Sequence, residues 1–269
     1  MTLPARIPPV SWDVPMSEGL PVRVVIRDVV EETTTIRTFY FDQEFDFTAG
    51  QFVMVWVPGV DEIPMALSSG NSVTVQIVGD ATGAMFSLGK GDELGIRGPF
   101  GNGFPGEGRV LSIAGGVGAA PLLPLALSGA VETFLLGARS ARELLFVQKL
   151  GEATRLITAT DDGTAGHHGF VTDLLREIRA ADYDHICVCG PEPMMHAVLR
   201  SLDQNGVAGR ASFSLHRYMK CGVGLCGSCC IDPSGSRVCT EGPVFSGETL
   251  LGSEFGRYTR DASGGRKCL

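Results

Sequence analysis

From residue 21 onward, apolar and polar positions alternate in short runs. Residues 22–27 and 35–41 are rich in β-branched and aromatic side chains, and 51–57 ends at Pro58-Gly59. Further runs cover 65–68, 73–78 and 92–97. Period-two patterning broken by Gly, Pro and Asp predicts six short strands, and such spacing implies a small antiparallel barrel. A short helix over 84–88 fits before the last of them.

After Gly98-Pro99-Phe100-Gly101-Asn102-Gly103-Phe104 the texture changes. Residues 109–114 read as a strand running into Gly115-Gly116-Val117-Gly118, and Pro121 sits near the start of a helix reaching Ser128. Strands over 131–137, 155–160 and 185–189 then alternate with helices over 141–150, 170–179 and 192–205. This alternation predicts βα units in a doubly wound parallel sheet. The expected organisation is an extension over 1–20, with four prolines. A barrel over 21–104, an α/β domain over 105–210 and a cysteine-bearing module over 211–269 follow.

Composition narrows the function. In 269 residues, 44% hydrophobic and 19% charged content describes a globular protein long enough for about two cores. A formal net charge of −8 without a basic run argues against nucleic acid as partner. The uncharged stretch over 110–131 is interrupted by Gly115, Gly116, Gly118, Pro121 and Pro124, so it suits a strand, turn and helix rather than a membrane span. The first residues lack a long apolar core, so no secretory leader is expected. Eight cysteines without a leader suggest a reducing cytoplasm, where thiols serve metal clusters.

Cys221, Cys226, Cys229 and Cys239 follow the pattern C-x4-C-x2-C with a distant fourth cysteine, the spacing of four thiolates around a plant-type [2Fe–2S] cluster. Gly222, Gly224 and Gly227 would let such a loop wrap a cluster with its N–H groups near sulfur. Structural zinc competes weakly, since only Cys226 and Cys229 form a C-x2-C knuckle, and a disulfide framework suits shorter secreted chains. Cys230, adjacent to Cys229, could take its place.

Other stretches carry weaker signals. Gly115-Gly116-Val117-Gly118 lies between a strand and a helix, where small residues let backbone approach a pyrophosphate. It departs from G-x-G-x-x-G, and an ordinary βα turn would look similar. Cys189-Gly190-Pro191 stands at a strand end, where open α/β sheets bind ligands. In the barrel, residues 64–68 and 79–84 are polar or glycine-bearing breaks, which could also be plain turns. The five histidines form no ligand pattern with the cysteines, and no nucleophile motif is present. An iron–sulfur site beside nucleotide pockets, without acid–base apparatus, points to electron movement.

The order of these parts resembles the electron-transfer subunits of type B dihydroorotate dehydrogenase, a branch of the ferredoxin–NADP reductase superfamily. The resemblance covers about residues 21–260. Its most specific portion is Tyr218-Met219-Lys220-Cys221-Gly222-Val223-Gly224-Leu225-Cys226-Gly227-Ser228-Cys229, followed by Arg237-Val238-Cys239-Thr240-Glu241-Gly242-Pro243-Val244-Phe245. It implies an FAD-binding barrel, a nucleotide domain and a C-terminal [2Fe–2S] module held by Cys221, Cys226, Cys229 and Cys239. FAD would lie against Pro64, Met65, Ala66, Leu67 and Ser68, against Gln76, Ile77 and Val78, and at Gly83 and Ala84. NAD would use Gly115, Gly116 and Gly118 with Cys189, Gly190 and Pro191. The resemblance further implies a cytoplasmic oxidoreductase subunit of pyrimidine biosynthesis. Electrons would come from an FMN-bearing catalytic subunit, in a heterotetramer of two of each chain, and pass by cluster and FAD to NAD⁺.

One departure stands out: the family's flavin motif opens Arg-Pro and carries Ser or Thr two residues later, whereas this chain has Ile63-Pro64 and Ala66. An arginine there would pair the FAD pyrophosphate. Arg139 and Arg142 follow the second strand of the nucleotide domain and could meet a 2′-phosphate, leaving NAD and NADP both open. Two other readings share the motifs: a related subunit of a hydrogenase or transhydrogenase-like flavoenzyme, and a zinc-bound interaction protein on a degenerate reductase fold.

Overall fold

Six strands close the first half of the chain on itself: β1 (Val22–Thr33), β2 (Ile36–Phe41), β3 (Phe52–Val57), β4 (Asp61–Ser69), β5 (Ser72–Gln76) and β6 (Glu93–Phe100). The structure is a computed structural model and describes residues 20–268, so the expected extension over 1–20 lies almost wholly outside the described residues. The barrel order is β1-β2-β5-β4-β3-β6, all antiparallel. Alternation decides which side chains fill it. Val24, Ile26, Phe39, Phe41, Val53, Val55, Leu67, Val73, Val75, Leu94 and Ile96 form its core. Residues between them, such as Thr38, Ser68 and Thr74, point the other way. Helix α1 runs over Asp80–Met85, earlier than the expected 84–88. The reason is local: Thr82 Oγ1 accepts the Val78 and Gly79 N–H groups, both at 2.9 Å, which starts the helix there.

The second half builds a seven-stranded sheet in the order β10-β9-β8-β7-β11-β12-β15. Its strands are β7 (Val110–Gly115), β8 (Val131–Ala138), β9 (Arg155–Thr160), β10 (His167–His168), β11 (His185–Cys189) and β12 (Ala211–Ser214), all parallel. β15 (Val244–Ser246) closes the edge antiparallel to β12. Helices α2 (Ala119–Leu127), α3 (Val147–Ala153) and α4 (Glu192–Gln204) connect the strands. Chain order runs outward from β7 through β8 and β9, then resumes at β11 on the other side. The sheet therefore has a topological switch point between β7 and β11.

Two expected helices are shorter. Over 141–150 the chain makes a single turn at Ala141–Glu143, bends at Phe146 (φ 56°) and only then enters α3. Leu145 and Phe146 are both buried, and a continuous helix would set neighbours about 100° apart. Over 170–179 one 3₁₀ turn, Asp173–Arg176, is enough to bury Val171, Leu174 and Leu175.

Short hairpins complete the chain: β13 (Cys230–Ile231) with β14 (Ser236–Arg237), then α5 (Gly247–Leu251), then β16 (Tyr258–Arg260) with β17 (Arg266–Cys268). Met219, Cys229, Ile231, Val238 and Cys239 share one apolar cluster with Phe52 and Met54 of β3 and Phe213 of β12. The cysteine module thus packs on barrel and sheet together. Among the described residues, no helix is long and apolar enough to cross a membrane.

Candidate functional site

A cleft of about 470 Å³ opens at the C-terminal ends of β7 and β11, the place where open α/β sheets bind ligands. Gly115, Gly116, Gly190 and Pro191 line it, joined by Gln76 from the barrel. The glycines leave room for the Met194 side chain and let the two strand ends approach, a Cβ on Gly190 standing 3.0 Å from the Gly115 backbone nitrogen. A Cβ on Gly115 would stand 2.5 Å from Met194 Sδ, and one on Gly190 would stand 2.8 Å from Met194 Cε. One on Gly118 would collide with the Cys189 carbonyl. Gly118 and Cys189 therefore shape the cleft from behind rather than lining it. The Cys189 thiol is pushed up to about 12 by desolvation, so it is neutral at ordinary pH.

The cleft also contains residues that motif reading did not select: Thr35 and Ile36 of the barrel, Glu143, Asp161, Phe170 and Met194. Arg139 lines it, whereas Arg142 is not among the lining residues. Asp161 follows the end of β9, so applying the strand-end rule to every strand would have found it. Phe170 is 64% exposed and adds an apolar ring to the cleft wall.

On the barrel, alternation divides the expected flavin stretch. Leu67 is in the barrel core and Met65 packs against it, so these two can offer backbone only. Pro64, Ala66 and Ser68 face outward on the same strand. Ser68 is buried and belongs to a hydroxyl row: Thr38 Oγ1 and Thr74 Oγ1 are 2.9 Å apart, Thr74 donates to Ser68 at 3.0 Å, and Ser68 and Ser72 are 3.1 Å apart. Beyond β5, Ile77 and Val78 are 41% and 80% exposed, an open apolar strip beside the cleft-lining Gln76. A Cβ at Gly83 would meet nothing within 4 Å, while Ala84 is buried. This cradle suits a flat, largely apolar ring system.

The cysteine loop is built around glycine. Gly222, Gly224 and Gly227 have φ of 72°, 78° and 72°, a region that residues with a Cβ avoid. These turns aim backbone donors at sulfur: Gly224 N–H at Cys239 Sγ (3.2 Å), with Leu225 and Cys226 N–H at Cys221 Sγ (3.3 and 3.5 Å). The four thiols are free and lie in two pairs within hydrogen-bonding reach, Cys226 with Cys221 and Cys239 with Cys229. Hydrogen bonds from Ser228, then from Cys221, pull Cys226 down to about 6, and burial pushes Cys239 up to about 12.

Among the described residues, no three His, Cys, Asp or Glu side chains converge as one ion would require. Two pairs of thiols ringed by N–H donors match the donor set of a two-iron cluster, two thiolates to each iron. Cys230 lies on β13, opposite Arg237, and it is Cys229 that hydrogen-bonds Cys239.

Charged side chains hold this loop from three sides. Arg97 of β6 donates to the Cys221 carbonyl at 3.2 Å, and Arg237 donates to the Gly224 carbonyl at 3.0 Å while pairing with Glu241. Arg217, four residues before Cys221, is sandwiched between Glu192 at the start of α4 (2.6 Å) and Glu254 (3.1 Å). Glu254 in turn accepts the Asp232 N–H at 2.9 Å. Leu225 at the loop's tip is 85% exposed, with Val223 and Tyr218 nearby in sequence at 45% and 37%.

Comparison with known proteins agrees with this geometry. Residues 216–251 match the iron–sulfur cluster binding domain of dihydroorotate dehydrogenase B. A probable dihydroorotate dehydrogenase B (NAD(+)) electron transfer subunit from Methanocella arvoryzae is 52% identical over 254 residues, covering 92% of this chain and 98% of the relative. The protein of the same description from Methanocaldococcus jannaschii is 45% identical over 251 residues, covering 91% and 97%. Among solved structures, a chain of the NADH-dependent reduced ferredoxin–NADP oxidoreductase superposes with a TM-score of 0.75 at 29% identity, over 84% of this chain and 88% of that one. The Amycolatopsis cytochrome P450 reductase shares the fold, with a TM-score of 0.62 at 23% identity over 71% and 68%. The chain belongs to the family of dihydroorotate dehydrogenase B (NAD(+)) electron transfer subunits.

Proposed function

We propose that this chain is the electron-transfer subunit of a type B dihydroorotate dehydrogenase, an oxidoreductase subunit that delivers electrons to NAD⁺ and leaves dihydroorotate oxidation to a catalytic partner. The observation that carries the reading is the seating of two thiol pairs against a flavin-type barrel, in a chain whose nucleotide cleft opens at the switch point. Cys221, Cys226, Cys229 and Cys239 would hold a [2Fe–2S] cluster. The outward face of β4, the Gln76–Ile77–Val78 strip and the turn at Gly83 would hold FAD. Gly115, Gly116, Gly190 and Pro191 would receive NAD. The cluster supplies single electrons, and the flavin converts between one- and two-electron exchange. The protein's own contribution is to screen the sulfurs with N–H donors, to open a glycine-lined cleft for the nucleotide, and to pack the cysteine module against barrel and sheet.

The partner is an FMN-bearing subunit, assembled as two of each chain, and it docks over the cysteine loop, where Leu225 stands in solvent. Anaerobic purification with metal, sulfide and flavin analysis tests the reading. About two irons per chain together with FAD are expected. Protein lacking both iron and flavin sinks the proposal, and zinc without iron would favour an interaction protein. Co-purification from native cells should recover the FMN-bearing subunit rather than a hydrogenase or transhydrogenase component.

A further inference from the structure

Between the barrel and the first cysteine stands an ion pair that no cofactor site above uses. Arg97 of β6 and Glu62 of β4 have side chains only 13% and 23% exposed. They meet in a two-pronged bond, Nε to Oε1 at 2.7 Å and Nη2 to Oε2 at 2.6 Å. The remaining guanidinium arm, Nη1, donates to the Cys221 carbonyl at 3.2 Å. β3 runs between these two strands, with Met54 opposite both Arg97 and Pro64. The first turn of the cysteine loop rests on the same spot: a Cβ at Gly222 would lie 3.0 Å from Met54 Cγ and 3.5 Å from the Phe100 ring. Only Ile63 separates Glu62 from Pro64, where the outward flavin face begins. An unbroken chain of contacts therefore runs from that strand through Glu62 and Arg97 to Cys221.

We infer that Arg97 and Glu62 are positioning residues for electron transfer, seating Cys221 against the barrel and setting the reduction potential of the cluster by their opposed charges. The inference rests on the cluster assignment proposed above. The physical reason is the order of the charges. Reduction adds negative charge to the thiolate-bound group, so a cation bonded to Cys221 favours the reduced form and an anion behind that cation offsets it. Arginine suits this post because its planar fork binds a carboxylate with two N–H groups and still spares one for the carbonyl. An ordinary domain-packing salt bridge would predict lost stability on removing either partner, with no sign to the potential.

The test is an electron paramagnetic resonance redox titration of the cluster in anaerobically purified holoprotein. Arg97→Gln removes the cation and leaves Glu62 uncompensated, so the midpoint should fall. Glu62→Gln leaves the cation unopposed, so it should rise. Each shift is expected on the order of a tenfold change in the reduced-to-oxidised ratio, about 59 mV for a one-electron couple. Arg97→Lys keeps the charge and should stay near the parent midpoint. If Arg97→Gln loses its cluster on purification, the upward shift in Glu62→Gln and the retained potential in Arg97→Lys decide the matter. Midpoints that move in the same direction in both neutralised variants, or in neither, overturn the inference. Parent protein without a cluster overturns the reading beneath it.

Discussion

Replacing Arg217 by Met should destabilise the chain by about 3–5 kcal/mol, the cost of breaking a buried ion pair by removing one partner. Its side chain is 2% exposed, and those of Glu192 and Glu254 are 9% and 0% exposed. The guanidinium meets Glu192 at 2.6 and 3.1 Å and Glu254 at 3.1 Å, and it also bonds the His216 carbonyl at 2.9 Å. Methionine fills much of the volume but leaves two carboxylates facing each other away from water, each holding only a backbone donor: Gly256 N–H on Glu192 and Asp232 N–H on Glu254. That isolates the electrostatic loss from a packing loss. Urea unfolding should show a lower midpoint with unchanged slope. Amide exchange should rise first over 218–241, the stretch these bonds pin. The triple variant Glu192→Gln, Arg217→Met, Glu254→Gln keeps a side-chain acceptor for each backbone N–H without buried charge, and it should recover most of the loss. A loss below about 1 kcal/mol in Arg217→Met, or no recovery in the triple variant, would refute the view that uncompensated charge dominates here.

Further outcomes follow from the same geometry. Gly118→Ala forces a Cβ onto the Cys189 carbonyl; it should cost about 1–3 kcal/mol by overpacking and weaken NADH binding in a fluorescence titration, while Gly89→Ala, with nothing within 4 Å, leaves binding intact. Leu225→Asp should leave the urea midpoint of the isolated subunit unchanged, because the side chain is 85% exposed, yet lower recovery of the complex in a pull-down with the catalytic subunit. Burial holds Cys187 and Cys189 up at about 12 in the folded chain against an ordinary value of 9.0. Between those values the unfolded chain loses these protons first, so stability falls as pH rises from 9 toward 12. The Cys187→Ala/Cys189→Ala variant should therefore lose less stability than the parent between pH 9 and pH 11, measured by urea midpoints at each pH.

Much of this molecule is written locally. The cysteine spacing, the three loop glycines and the alternation of barrel strands are short-range patterns, readable without knowing what surrounds them. The glycine turn after β7 and the Gly-Pro corner after β11 were legible as strand-end breaks for the same reason, although a plain βα turn carries the same pattern. Helix ends were less legible, because burial of Leu145 and Phe146 outweighed a helical pattern, and because Val171, Leu174 and Leu175 needed only one turn. The edge strand β15 could not be read from three residues, since its place beside β12 depends on the chain returning after the whole cysteine module.

By itself, then, the sequence determined which atoms are available: four thiols at cluster spacing, glycines that bend around them, a barrel and a doubly wound sheet. Only the tertiary structure decided their company. It placed Arg97 on a carbonyl 124 residues away, and it locked Arg217 between Glu192 and Glu254 from two other segments. It also chose Cys229 over its neighbour Cys230 to meet Cys239. The reason is one of range. Backbone turns and side-chain alternation are set by adjacent residues, whereas electrostatic partners are chosen by where packed strands and loops meet, and no spacing along the chain records that distance.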